Sequence, residues 1–167
     1  MPLIDGMLRE LEEEARTTRR VLERVPDNRL GWRPHEKART LGQLALHIAM
    51  VPGAVAEFVA SPSPAQAPQF GPDPSPACSS DLMPALDQSI AKAKKVLGGM
   101  DDATLTATWR LMNGERELFA VPRAAMLRSI MLNHWYHHRG QLTVYLRELG
   151  VPLPSVYGPT ADENPFA

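Results

Sequence analysis

One cysteine, Cys78, in 167 residues excludes an intrachain disulfide and any multi-cysteine metal cluster. A metal in this chain would have to rest on histidine, carboxylate or water. Charge of one sign is also missing: 18 Lys and Arg stand against 19 Asp and Glu, a net charge of −1. Without the basic bias that draws proteins to phosphate backbones, nucleic acid is not expected as a partner here. No apolar run approaches the ~18 residues of a membrane span, and Met1-Pro2-Leu3-Ile4-Asp5 lacks the basic-then-apolar order of a secretory leader. The expectation is a cytoplasmic protein without a membrane partner. No internal repeat is visible. What remains, 44% hydrophobic and 22% charged, suits a single domain over residues 1–167 with a proper core.

Helical periodicity dominates. From Leu3 to about Val25, the residues Leu3, Met7, Leu8, Leu11, Ala15, Val21, Leu22 and Val25 share one face, with the charges mainly outside it. After a connection holding Trp32, expected to plug the end of a core, and His35, expected in solvent, Thr40 and Gln43 have the form of a capping box. A second helix follows with the stripe Leu41, Leu44, Ile48, Val51, Val55, Phe58 and Val59. Pro52-Gly53 should interrupt it with a kink or bulge about one turn beyond His47, helping to aim that side chain.

Prolines at 62, 64, 68, 72, 74 and 76 mark residues 61–80 as a long surface loop, with Phe70 tucking it down. Asp81 is placed to cap a third helix whose buried face is Leu82, Leu86, Ile90, Ala93, Val96 and Leu97, stopped by Gly98-Gly99. A short turn at 101–105 precedes two β-prone stretches around Asn113-Gly114, a hairpin signal. A fourth helix runs from Pro122 to Leu149, with Leu127, Ile130, Met131, Leu142, Tyr145 and Leu149 inward, and the tail from Pro152 should be extended. The fold class is therefore all-α, a four-helix bundle with a short β-hairpin before the last helix.

The chemistry gathers in the fourth helix. His134 and His138 are one turn apart on its apolar face. Two buried imidazoles need partners, because an unpaired buried polar group costs about 1–3 kcal/mol. A shared metal satisfies both, and so do separate hydrogen bonds to neighbours; the pair alone leaves the two readings open. His47 lies on the inward face of the second helix between Leu44 and Val51. His137 points to one side and is the weaker candidate. Three inward histidines on two rods make a metal site between facing helices, with at least one coordination position open, as in catalytic rather than closed structural sites. That reading requires the His47 ring to lie within about 8 Å of the other two, given metal–nitrogen bonds of ~2 Å.

Several segments carry a family resemblance: Trp32-Arg33-Pro34 ahead of Thr40-Leu41-Gly42-Gln43-Leu44-Ala45-Leu46-His47; His134-Trp135-Tyr136-His137-His138-Arg139-Gly140-Gln141-Leu142; and Tyr157-Gly158-Pro159-Thr160-Ala161-Asp162-Glu163. Together they span nearly the whole chain, and they resemble the DinB/YfiT-like family of metal-dependent enzymes. The resemblance implies a four-helix bundle with an unusual helix order, often a homodimer, and a divalent ion held by three histidines. By position these are His47, His134 and His138, while His137 fills a place the family pattern does not require.

Relatives include enzymes that move a low-molecular-weight thiol onto an electrophile, and thiol-dependent isomerases. On that footing the chain is expected to be a metal-dependent transferase, or a hydrolase, acting on a small-molecule substrate in stress response or detoxification. The ion, zinc or nickel first although imidazole also suits copper and iron, would make a bound water or thiolate the reactive species, and no catalytic side chain is assigned. A low-molecular-weight thiol is the second expected cofactor. Acceptors for the outer ring nitrogens are sought among Gln43, Asn133, Gln141, Asp162 and Glu163. Arg139 is read as a structural ion pair or a substrate contact. The alternative from another class is a non-catalytic, metal-stabilised stress-response or interaction module. DNA binding is suggested by the family's damage-inducible name alone and is opposed by the balanced charge.

Overall fold

The computed structural model describes residues 2–166. Helix α1, Leu3–Leu22, buries Ile4, Leu11, Thr18, Val21 and Leu22. Its first turn is rotated from the expected phase, so Leu3 is exposed and Ile4 takes the inward place. Helix α2, Leu41–Ala60, opens on the expected capping box: Thr40 Oγ1 accepts from the Gln43 amide (3.2 Å), and Gln43 Oε1 accepts from the Thr40 amide (2.9 Å).

Two expectations about α2 are corrected. The helix continues unbroken through Pro52 and Gly53. The backbone groups that the proline disturbs find partners on other helices, so no bulge is needed to satisfy them. Moreover, α2 is long and apolar enough to cross a membrane by length and composition. Its His47, Pro52 and small residues hide that from a search for an uninterrupted apolar run. Here it is the central rod of the bundle, with Leu41, Leu44, Ala45, Ile48, Ala49, Val51, Ala56 and Val59 in the core.

Helix α3, Leu82–Leu97, packs closely along α2. The approach depends on Gly53, where a Cβ would lie 2.7 Å from the Ser89 carbonyl oxygen and 2.9 Å from its Cα. Asp81 does not cap α3, contrary to expectation. The chain already winds through a 3₁₀ turn, Ser79–Asp81, and the Asp81 carboxylate accepts instead from the amides of Ala77 (2.9 Å) and Cys78 (3.1 Å). Gly98 closes the helix as expected, and a short α4, Asp102–Thr106, is capped by Asp101 through the Thr104 amide (2.7 Å).

The loop between α2 and α3 is less irregular than its prolines suggest. It contains a strand, β1 (Ala65–Gln66), that pairs in parallel with β2 (Thr108–Asn113), and β2 pairs antiparallel with β3 (Arg116–Pro122). The hairpin turns at Gly114, whose φ of 59° is one that glycine adopts without steric cost. Phe70 does not tuck the loop down and is 91% exposed. Trp32 is half-buried, edge-on to Tyr145 with ring centroids 5.6 Å apart, and His35 is exposed as expected.

The last rod spans residues 123–148 in three consecutive pieces: α5 (Arg123–Met126), a π-helical segment (Leu127–Asn133) and α6 (His134–Glu148). The π turn, with its i→i+5 bonding, breaks the 100° phase on which the sequence reading relied. Ile130, expected inward, is therefore 39% exposed, while Leu127, Met131, Leu132 and Trp135 are buried. An all-α four-helix bundle with a small sheet before the last rod is the result. The tail beyond Pro152 is extended and strapped to the helices by Arg20–Glu163 (2.6 Å) and Arg147–Asp162 (2.5 Å).

Candidate metal centre

Three imidazoles meet where α2 crosses the start of α6. His47 comes from the seventh position of α2, and His134 and His138 come from the first and second turns of α6. Ring centroids lie 4.4 Å apart for His134 and His138, 4.6 Å for His47 and His138, and 5.3 Å for His47 and His134, well inside the ~8 Å that a shared ion permits. One ring nitrogen from each lies within 4.8 Å of the others, so the three could hold a metal ion. His138 is buried at 8% exposure, and the other two are half-buried. His137 is exposed and outside this group, although its ring stands 5.1 Å from that of His138.

The hydrogen bonds around the cluster decide which nitrogens face inward. His138 Nδ1 donates to Gln141 Oε1 at 2.7 Å, and His134 Nδ1 donates to the Ile130 carbonyl oxygen at 3.2 Å. A neutral imidazole with its proton on Nδ1 presents a lone pair on Nε2. Those two Nε2 atoms are 2.7 Å apart, and His47 Nε2 is buried without a hydrogen-bond partner among the described residues. Lone pairs brought this close repel unless a cation lies among them. A shared proton would serve His134 and His138 but leave His47 orphaned, whereas a metal ion serves all three, so the residues fit a bound ion.

Electrostatics keep the rings neutral, as metal ligation requires. Burial first, then the Arg39 guanidinium and the other two imidazoles, push His47 down to about 4. His138 is pushed down to about 4 by burial, against the opposing pull of its Gln141 bond. Burial likewise holds His134 below its ordinary value. Arg39 is held by Asp73 of the proline-rich loop through Nε–Oδ2 (2.8 Å) and Nη2–Oδ1 (3.1 Å).

Of the expected outer acceptors, Gln141 alone contacts a ligand candidate. Gln43 is used in the capping box and on the Asp73 carbonyl, Asp162 and Glu163 bind Arg147 and Arg20, and Asn133 is exposed. Arg139 is a structural ion pair: it is 2% exposed and its Nη2 lies 2.6 Å from Glu14 Oε2. Sequence reasoning missed Arg39 and Asp73, which no local pattern links. It also missed Trp135, for which a signal existed, since Pro52 leaves the Ile48 carbonyl in need of a donor.

These shifts set a pH dependence. Unfolded imidazoles take up protons below about 6.5, whereas His47 and His138 in the folded chain do so only near 4. In that window the unfolded state binds more protons, so the metal-free protein is expected to lose stability as pH falls from about 6.5 to about 4 and to show no contribution from these groups above it. Urea midpoints across that range should fall less steeply in His47→Gln than in wild type. Equal slopes in the two proteins would refute the assignment.

The DinB family sequence profile matches residues 3–164. An uncharacterized protein of Bacillus subtilis (strain 168), YrdA, is 26% identical over 160 residues, covering 96% of this chain and 91% of its own. A DinB-like protein of Bacillus cereus superposes with a TM-score of 0.69 at 24% identity, over 92% of this chain and 97% of that one. The DinB-like protein YjoA of B. subtilis does so with a TM-score of 0.66 at 20% identity, over 90% and 97%. At these identities the two crystal structures speak to fold alone. The bundle order, the paired histidines at the start of the last α-helix and a profile match over almost the entire length lead to one assignment: this chain belongs to the DinB family.

Proposed function

We propose that this protein is a divalent-metal-dependent enzyme that joins a low-molecular-weight thiol to an electrophilic small molecule, with His47, His134 and His138 as the ligands. The observation that carries the reading is the orphaned His47 Nε2, buried beside two Nε2 lone pairs whose outer nitrogens are already committed. A divalent ion held there would lower the pKa of a thiol or water and so supply a nucleophile near neutral pH.

The chain's own residues favour an anionic reactant. Three neutral imidazoles cancel none of an ion's charge, and Arg39, although paired with Asp73, lies close enough to depress all three rings. Gln141 and the Ile130 carbonyl hold two rings in one tautomer, so no proton needs to move within the ligand set when an ion enters. In the transfer itself, sulfur forms a bond to the electrophilic carbon while the leaving group departs with the bonding pair.

A second reading, a non-catalytic metal-stabilised module, gains from one observation: Asp162 and Glu163 are tied into ion pairs on the helices rather than turned toward the imidazoles. The experiment is elemental analysis of protein purified without an affinity metal column, followed by a titration of small thiols against the metal-loaded protein. About one divalent ion per chain and saturable thiol binding are expected. A chelator that lowers the unfolding midpoint steeply, with no thiol bound at any concentration, would favour the staple over the enzyme.

A further inference from the structure

Pro52 opens a gap in the hydrogen bonding of α2 and leaves no gap in the helix itself. Lacking an N–H, it cannot bond to the carbonyl of Ile48, the residue directly after His47. Ile48 is fully buried, so its oxygen must find a donor elsewhere or remain desolvated and unpaired at a cost in stability. The donor is the indole Nε1–H of Trp135, at 2.8 Å. Trp135 is itself fully buried and directly follows His134. One directional bond thus joins the neighbour of one ligand candidate to the neighbour of another, across the two rods that must meet. The next amide of α2 is used in the same way: Gly53 N–H donates to Ser89 Oγ of α3 (2.8 Å), and the Ser89 hydroxyl donates to the Met50 carbonyl (3.0 Å).

We propose that Pro52 and Trp135 are a positioning pair: the carbonyl bared by the proline is the docking point that fixes the height of α6 along α2, and so the separation of His47 from His134 and His138. Apolar contacts between two rods are non-directional and tolerate sliding. A site with metal–nitrogen bonds near 2 Å tolerates little, so a directional contact beside it has a task that packing cannot perform. This inference rests on the metal-centre reading.

The test is a Co²⁺ titration of the full chain, followed by visible absorption and accompanied by metal-free thermal unfolding, for Trp135→Phe, Pro52→Ala and the double variant. Trp135→Phe keeps an aromatic ring and removes the donor. Its Co²⁺ affinity should fall about tenfold, with displaced absorption bands. Pro52→Ala restores an N–H for the Ile48 carbonyl. In the double variant that oxygen is satisfied within α2, so stability should recover while affinity and spectrum remain altered. A role confined to packing or to satisfying the carbonyl predicts that affinity returns with stability, and that result would overturn the proposal. Should Trp135→Phe not fold, the double variant decides alone by the same criterion. Wild-type affinity and spectrum in Trp135→Phe would overturn this inference and leave the metal centre standing, whereas failure of the wild-type chain to bind Co²⁺ would overturn both.

Discussion

Replacing His138 by alanine is expected to abolish stoichiometric binding of a divalent ion, with affinity falling by more than about 100-fold, beyond the 10–100-fold span typical of losing an outer hydrogen-bond partner. His138 is the most enclosed of the three histidines, at 8% exposure, and its ring lies 4.4 Å from His134 and 4.6 Å from His47. Removing it leaves two nitrogens from different helices, one of them, His47 Nε2, still buried without a partner. Gln141→Leu should fall within that 10–100-fold span instead, because it removes the 2.7 Å bond that orients His138 and selects its tautomer, but no ligand. His137→Ala, an exposed position outside the cluster, should leave affinity unchanged. Equilibrium dialysis with elemental analysis reads all three, and full occupancy in His138→Ala would end the metal reading.

Arg139→Ala is expected to cost about 3–5 kcal/mol, the penalty for leaving one member of a buried ion pair uncompensated. For a chain of this size that lowers the unfolding midpoint by roughly 6–20 °C. The guanidinium ties three parts of the molecule together. Nη2 pairs with Glu14 Oε2 of α1 at 2.6 Å, Nη1 donates to Thr18 Oγ1 at 3.1 Å, and the Tyr157 hydroxyl of the tail accepts from Nη2. The group also lies 5.3 Å from the Tyr136 ring and 5.1 Å from the Tyr157 ring, where cation–π attraction adds to the charge pairing. Without it, the Glu14 carboxylate, whose side chain is 14% exposed, loses its cation and retains only the Tyr157 hydroxyl, which donates to Oε2 at 2.9 Å, among the bonds described. Replacing Arg139 by Met and Glu14 by Leu together should recover most of the loss, since no buried charge then remains. Metal affinity should change little in either case. Thermal unfolding checks the magnitude, and a wild-type midpoint for Arg139→Ala would show that this guanidinium does not hold α1 and the tail to α6.

Much of the architecture was legible because the signals were local. The stripes of α2 and α3, the Thr40/Gln43 capping box, the stop at Gly98 and the turn at Gly114 each depend on residues within a few positions of one another. Some failures were local as well, at Asp81 and Ile130, while others depended on distant partners. The exposure of Ile130 follows from a π turn that shifts the helical phase, and the strand at Ala65 exists because it pairs with Leu111, far along the chain. Pro52 was read as a break because its lost bond is visible in sequence, while the donor that replaces it, Trp135, belongs to another rod.

The amino-acid order by itself determined that His47, His134 and His138 would lie on apolar faces of two helices, because side-chain direction follows from position along a helix of known period. It could not determine that the rings converge, since periodicity gives the direction of a side chain around its own axis and says nothing of the height at which two rods dock. Tertiary structure decided that height, which sets the buried Nε2 of His47 beside the two Nε2 lone pairs that Gln141 Oε1 and the Ile130 carbonyl, both of the last rod itself, turn inward.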